Sequence, residues 1–235
     1  MTYTKRTDGR AFDQLRPIEA KVGVVERATG SAMFKIGKTH AIAAVYGPRE
    51  LYPQFMQDPS KGILRCNYNM LAFSGAGERV RPGPSRRSKE ISMITEKALL
   101  PMLDLSEFPG TVVDVFIELI QTDAGTRCAG ITAAAMALAD AGIPMKDIVC
   151  AIAVGKVGDK VVLDLSKEEE DYPEGATDIP VAMSPRTGQV TLLQLDGHIS
   201  QEDLQKALHL AKKGCMDIHA IQTQALKEKY KEEEQ

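Results

Sequence analysis

The sequence predicts an α+β fold in which strands followed by helices occur twice along the chain. Residues 18–50 and 148–165 are rich in Val, Ile and Ala and are broken by glycine turns, a pattern typical of short strands. Each strand region is followed by apolar residues at helical spacing. The chain has 235 residues, 43% hydrophobic and 26% charged, which suits a soluble protein with a substantial core.

The first half continues with alternating strands and helices. Residues 63–73 keep strand-like alternation, and apolar residues recur near helical spacing over residues 88–103. Residues 111–121 predict a β-branched strand with one uniformly apolar face. A helix of small residues follows over 130–144, where Gly142 predicts its end. Its small side chains predict close packing against a sheet or a second helix.

The second half repeats this order. Residues 178–197 are expected to form further strands after an acidic segment, and a final helix begins behind Ser200 as its N-cap. The charged residues 226–235 are expected to fray. We therefore expect one domain over the whole chain, with an N-terminal half at 13–144 and a C-terminal half at 147–212.

Composition argues against several classes of protein. Cys66, Cys128, Cys150 and Cys215 never form a C-x-x-C pair, so buried reduced thiols are expected rather than a zinc site. No apolar stretch approaches the roughly 20 residues of a membrane helix. The first residues lack the apolar run of a secretory signal, which predicts a cytoplasmic protein. The net charge is −3, so nucleic-acid binding would need a local basic patch.

The stretch "TDAGTRCAGITAA" joins a predicted strand to the helix of small residues. A glycine turn at a helix start presents free backbone N–H groups to an anion. Thr126 adds a hydroxyl, and Arg127 adds a guanidinium that can bind two phosphate oxygens. The pattern therefore predicts a phosphate cradle. The alternative is a surface turn with Thr126 as N-cap and Arg127 as a solvated cation.

The stretch "EEEDYPEGATD" is an acidic loop between two predicted strands. Asp171 and Asp178 bracket it, and carboxylates gathered at one site can hold a divalent cation or donate a proton if the pKa is raised. A solvated loop is the alternative interpretation.

The stretch "GERVRPGPSRRSKE" contains four arginines among glycine and proline. A loop of this kind suits electrostatic contact with a phosphodiester backbone, which predicts RNA or DNA phosphates as its ligand. A loop that only improves solubility is the alternative.

Together, "DGRAFDQLRPI", "AAVYGPRE", "RPGPSRRSKEIS", "QTDAGTRCAGITAA" and "EEEDYPEGATDIPVA" resemble the RNase PH family, most closely its catalytic subunits in archaeal exosomes. The resemblance covers roughly residues 5–220. It implies an RNase PH-like (ribosomal protein S5 domain 2-like) α+β fold with two pseudo-symmetric β-α-β halves. It also implies a hexameric ring with an inactive RNase PH-type paralogue, crowned by RNA-binding cap proteins. RNA would be degraded from its 3′ end, with inorganic phosphate as co-substrate and Mg²⁺ as the expected metal.

The resemblance carries specific roles onto this sequence. It implies phosphate binding by Ala124, Gly125, Thr126 and Arg127, RNA binding by Arg65, Arg86 and Arg87, and catalysis by Asp171 and Asp178. Arg65 would lie on a loop that narrows the pore. Asp171 would protonate the leaving 3′ oxygen and Asp178 would place Mg²⁺, with both acids as candidate metal ligands and an exchange of their roles left open.

One feature departs from the family pattern. Asp171 and Asp178 stand seven positions apart, whereas the family usually has six, as if Pro173 or a neighbour were inserted. This spacing puts the Asp171 assignment in question. Two other functions stay open, namely a homohexameric RNase PH that trims tRNA 3′ ends and a non-catalytic ring subunit. The presence of both acids and the cradle argues against the second.

Overall fold

The computed structural model describes residues 3–77, 79–173 and 175–232, and it confirms the α+β class. Two sheets and three helices share one continuous apolar core. Within these described residues, no helix is both long and apolar enough to cross a membrane.

The first sheet has five strands. They are β1 (Ile18–Val22), β2 (Gly30–Ile36), β3 (Thr39–Glu50), β4 (Ile63–Met70) and β5 (Thr111–Gln121). Their spatial order is β1-β2-β3-β5-β4, and all neighbours are antiparallel except the parallel pair β4 and β5. The predicted strand at 111–121 is confirmed, and its apolar face from Val113 to Leu119 is fully buried.

The second sheet has four antiparallel strands. They are β6 (Cys150–Val157), β7 (Lys160–Leu163), β8 (Ala176–Met183) and β9 (Val190–Leu193), in the order β7-β6-β8-β9. Gly155 of β6 has to be glycine, because a Cβ there would stand 1.8 Å from the carbonyl oxygen of Thr177. This close approach fixes the start of β8.

Four α-helices complete the part of the fold that the structure describes. They are α1 (Arg86–Leu99), α2 (Thr126–Asp140), α3 (Lys167–Glu170) and α4 (Gln201–Glu232). Helix α2 packs against strands of both sheets, and only Arg127 and Ala139 among its residues are not fully buried. Small side chains are needed there because backbone approaches the helix from both sides.

Several boundaries differ from the sequence prediction. Helix α1 begins two residues before Ser88, because Ser85 and Ser88 form a capping box. The acidic segment, which was expected to be a loop, contains the single helical turn α3. Helix α4 continues to Glu232, so the prediction of a frayed tail is wrong up to that residue. The last three residues of the predicted tail lie outside the described residues.

Candidate active site

A cavity of about 580 Å³ opens at the start of α2, where the two halves of the chain meet. The first half contributes the turn before α2 and the first turn of α1. The second half contributes α3, β8 and the segment after β9. The cavity is lined by all four predicted cradle residues, both predicted acids, Arg87, Lys167, Glu170 and Asp196.

The turn before α2 has the form of an anion cradle. Gly125 is the N-cap residue with φ of 67°, in the left-handed region that favours glycine. The amides of Thr126, Arg127 and Cys128 belong to the first helical turn and have no intrahelical acceptor. No backbone carbonyl of the described residues satisfies them. Thr126 is therefore the first helical residue, and the alternative that made it the N-cap is wrong.

The side chains of Thr39 and Arg16 fix the conformation of this turn. The Thr39 hydroxyl donates to the carbonyl oxygen of Ala124 at 2.7 Å and accepts from the amide of Asp123 at 3.1 Å. The buried Arg16 pairs with Asp164 at 2.7 Å and with Asp123 at 3.2 Å. The carbonyls of the turn are thus directed away from the cavity, which leaves the amide side to a ligand.

Arg127 reaches into the cavity from the second position of α2. Its Nη1 donates to Oε1 of Gln194, the residue that follows β9. A guanidinium carries five N–H donors, so this contact positions the group and leaves donors for an anion.

Asp178 faces the same cavity from β8, opposite Gly155 of β6. Its Oδ1 is shielded from solvent and has no hydrogen-bond partner among the described residues. Burial first, and then the negative charge of Glu170, raise the pKa of Asp178 to about 6 against the opposing charge of Arg127. With a pKa of about 6, this carboxyl can exchange a proton at mildly acidic to neutral pH.

Asp171 stands at the rim of the cavity and is the C-cap of α3. Its carboxylate is 63% exposed and pairs with Lys167 at 2.8 Å. The preceding residue, Glu170, has a side chain only 23% exposed. Burial and the charge of Asp171 raise the pKa of Glu170, although Lys167 and the Gly125 amide oppose this rise.

The short helix α3 is anchored by the N-terminal segment of the chain. Glu169 is fully buried and pairs with the equally buried Arg6 at 2.7 Å. The Tyr3 hydroxyl donates to the same carboxylate at 2.8 Å. Burial alone would raise the pKa of Glu169, but Arg6, the Ser166 amide and the Tyr3 hydroxyl together stabilise the carboxylate and lower its pKa. This pair fixes the acidic segment against the cradle.

The predicted RNA-binding arginines occupy three different places. Arg87 lines the cavity, whereas Arg86 is exposed beside it at the start of α1 and does not line the cavity. Arg65 lies in β4, so its expected position on a loop is wrong. It shares the buried carboxylate of Asp114 with Arg49, and its own side chain remains 50% exposed.

Sequence reasoning missed four residues that shape this site: Arg16, Glu169, Glu170 and Gln194. The signal for the first was its position in "DGRAFDQLRPI", a segment used for the family resemblance but given no structural role. Glu169 and Glu170 stood inside a charge run, and nothing in the sequence distinguished them from solvated acids. Gln194 carried no signal.

The fold and the cavity together define a class of enzyme. Residues 14–144 match domain 1 of the 3′ exoribonuclease family, and residues 147–214 match its domain 2. The chain therefore belongs to the RNase PH-type 3′ exoribonuclease family, which confirms the resemblance seen in the sequence.

The individual relatives that the chain resembles are exosome components. The chain is similar to exosome complex component Rrp41 of Thermococcus kodakarensis, 54% identical over 226 residues, or 96% of this chain and 90% of that protein. It is 51% identical over 225 residues to exosome complex component Rrp41 of Methanopyrus kandleri, covering 96% and 93% of the two chains. Among solved structures it is similar to rice (Oryza sativa) Rrp46, with 26% identity, a TM-score of 0.81, and 93% and 98% of the two chains covered.

Proposed function

We propose that this chain is the phosphate-dependent 3′-to-5′ exoribonuclease subunit of an exosome ring. It releases nucleoside diphosphates from RNA 3′ ends and can run in reverse as a polymerase. One observation carries the proposal: an anion cradle with unpartnered amides and a carboxyl whose pKa is raised to about 6 line the same cavity. The family match and the exosome components among its relatives support it.

Inorganic phosphate would bind first at the turn formed by Ala124, Gly125, Thr126 and Arg127. The amides at the helix start and the Arg127 guanidinium neutralise the nucleophile, which has to approach an anionic diester. Gln194 holds Arg127 in place, so phosphate binding costs little side-chain ordering.

We assign proton donation to Asp178, which exchanges the two roles implied by the resemblance. An oxygen of hydrogen phosphate attacks the phosphorus of the last phosphodiester, and the bond to the upstream 3′ oxygen breaks. Asp178 gives this oxygen its proton and regains one from the attacking phosphate. The products are a nucleoside diphosphate and an RNA one nucleotide shorter with a free 3′ hydroxyl. Because the acceptor is phosphate and not water, the reaction is phosphorolysis rather than hydrolysis.

RNA would enter beside the first turn of α1. Arg87 contacts the phosphates next to the cleavage site, and Arg86, on the same exposed helix start, contacts the chain further out. Arg65, which does not line the cavity, would also contact RNA phosphates. Since Arg49 and Arg65 share one carboxylate, that cluster keeps a net positive charge for RNA.

The donor set of the cavity fits a divalent cation. The lining includes five carboxylates but only three cationic side chains, and the substrates add further negative charge. Mg²⁺ retains several waters and needs one or two carboxylates, so the lack of a three-ligand cluster among the described residues is compatible with it. A carboxylate of the acidic segment would hold the ion beside the cradle, and the family resemblance implies Asp171 for this position. When bound, it supplies positive charge that stabilises the reacting phosphates.

The ring and its other members form part of the proposal. Strand β9 is an edge of the second sheet, and Val190, Leu193 and the nearby Leu195 are 44% to 50% exposed. Exposed apolar side chains on a sheet edge are typical of subunit interfaces. We propose that an RNase PH-type paralogue covers such a surface, that cap proteins guide RNA, and that the particle is cytoplasmic.

We treat the chain as one domain because α2 packs against both sheets.

The decisive assay incubates oligo(A) with the purified chain, alone and assembled with a candidate ring partner, with and without phosphate. Phosphate-dependent ADP is expected, with full activity only in the assembled particle. Full activity of a self-assembled hexamer would favour the homohexameric alternative. Release of AMP without phosphate would exclude phosphorolysis.

A further inference from the structure

Two neighbouring carboxylates compete for one place in the proposed site. Glu170 ends the single turn of α3, and Asp171 follows it as the C-cap. Both residues line the cavity, but consecutive residues of a helical turn point about 100° apart, so they do not face it equally. The family spacing favours Asp171, but this chain has one residue more before Asp178.

Asp171 is turned toward solvent. Its carboxylate is 63% exposed and lies 2.8 Å from the ammonium group of Lys167, one helical turn away. To act on a substrate or a cation, it would have to break this ion pair. An exposed pair is weak, but it keeps the side chain at the rim.

Glu170 is turned inward. Its side chain is 23% exposed and lies 3.7 Å from the Lys167 ammonium group, farther than the carboxylate of Asp171 does. The charges of Lys167 and Arg16 and the amide of Gly125 stabilise its carboxylate. Its charge is also the strongest charge effect on Asp178. Glu170 therefore lies between the cradle and Asp178, where the cavity has its excess of carboxylates.

The longer spacing between Asp171 and Asp178 fits an arrangement in which Glu170 takes the place that the family pattern gives to Asp171. Glu169 is locked to Arg6 inside the protein, which fixes the rotation of α3 about its axis. With the rotation fixed, Glu170 is the more buried of the two carboxylates, and Asp171 stands at the exposed rim of the cavity.

We propose that Glu170, and not Asp171, is the carboxylate that holds the divalent cation beside the cradle in this chain. The inference rests on the proposed function for its substrate, but the choice between the two carboxylates can be tested separately. Glu170 thereby replaces Asp171, the ligand that the family resemblance implies.

The test compares the full-length wild type with Glu170→Gln, Asp171→Asn and, as a matched control, Glu168→Gln on the exposed side of α3. Glutamine keeps an oxygen that can accept from the Gly125 amide, so the turn is preserved. Mn²⁺ serves as the probe, because its electron paramagnetic resonance signal falls when the ion binds protein. Phosphorolysis is then measured in the assembled ring, with kcat and the KM for phosphate obtained separately.

Glu170→Gln is expected to weaken Mn²⁺ binding by about tenfold or more, with Asp171→Asn and Glu168→Gln within about threefold of wild type. In the ring, Glu170→Gln lowers kcat, and added Mg²⁺ restores part of it. Glu170→Asp keeps the charge and is expected to retain part of the binding.

A loss of Mn²⁺ binding in Asp171→Asn but not in Glu170→Gln would overturn the proposal. Equal losses in both, or none in either, would also overturn it. If wild type released no nucleoside diphosphate with phosphate present, the proposed function would fail, yet the Mn²⁺ comparison would still identify the cation ligand.

Discussion

Replacing Asp178 by asparagine is expected to stabilise the protein at neutral pH while abolishing turnover. In the folded protein the pKa of Asp178 is about 6, against 3.8 without the surrounding structure. The difference of about two pH units corresponds to about 3 kcal/mol, because one unit is worth about 1.4 kcal/mol. This free energy is the cost of keeping a buried carboxylate ionised next to Glu170. Asparagine has no charge and avoids it.

The pH dependence follows from the same linkage. Between about pH 4 and pH 6 the folded state binds a proton on Asp178 that the unfolded state has already lost. Stability of the wild type due to this group is therefore full at low pH and falls as pH rises through that window. At about pH 4.5 both proteins carry a neutral side chain here, so most of the difference between them disappears.

Thermal unfolding in the presence of a chelator measures this effect. A gain of about 2 to 3 kcal/mol raises Tm by about 5 to 10 °C in a protein of this size. Asp171→Asn is the matched control, since its exposed carboxylate should change stability by no more than about 0.5 kcal/mol. A lower or unchanged Tm for Asp178→Asn at neutral pH would refute the reasoning about burial and charge.

Three further predictions concern the cradle, the proton donor and the anchor of α3. Arg127→Ala should raise the KM for phosphate by about tenfold to a hundredfold with RNA affinity nearly intact. Arg87→Ala should weaken RNA binding with the KM for phosphate nearly unchanged. Equal losses of both affinities in either variant would contradict the assignment. Because Asp178 acts only when protonated, kcat/KM at constant hydrogen phosphate should fall on the alkaline side of about pH 6, whereas a flat profile to about pH 8 would exclude it as the donor. Glu169→Gln leaves Arg6 buried without its ion partner, so urea unfolding should show a loss of about 3 kcal/mol or more; unchanged stability would show that this pair does not anchor α3.

The sequence predicted the elements whose signals are local. The strand over 111–121 shows alternating β-branched residues, and the helix of small residues after Gly125 follows a turn that only glycine adopts easily. The start of α1 was missed because its capping box uses Ser88 in place of the usual glutamate or glutamine. A single helical turn such as α3 is too short for periodicity to reveal.

The candidate site was predicted in part, because its cradle is one contiguous stretch. The acidic side depends on contacts across the chain that no local pattern encodes. Arg6 and Glu169 are 163 positions apart, and Arg16 and Asp164 are 148 apart. The rotation of α3, and with it the choice between Glu170 and Asp171, follows from such a contact.

The central claim is that the cradle directs inorganic phosphate at the last phosphodiester of RNA. Radiolabelled phosphate supplied to the assembled ring with oligo(A) tests it most directly, through the position of the label in the products. We expect the label in the β-phosphate of ADP, with about tenfold to a hundredfold less labelled ADP formed by Arg127→Ala at low phosphate. Unlabelled AMP, released at the same rate with or without phosphate, would contradict the claim.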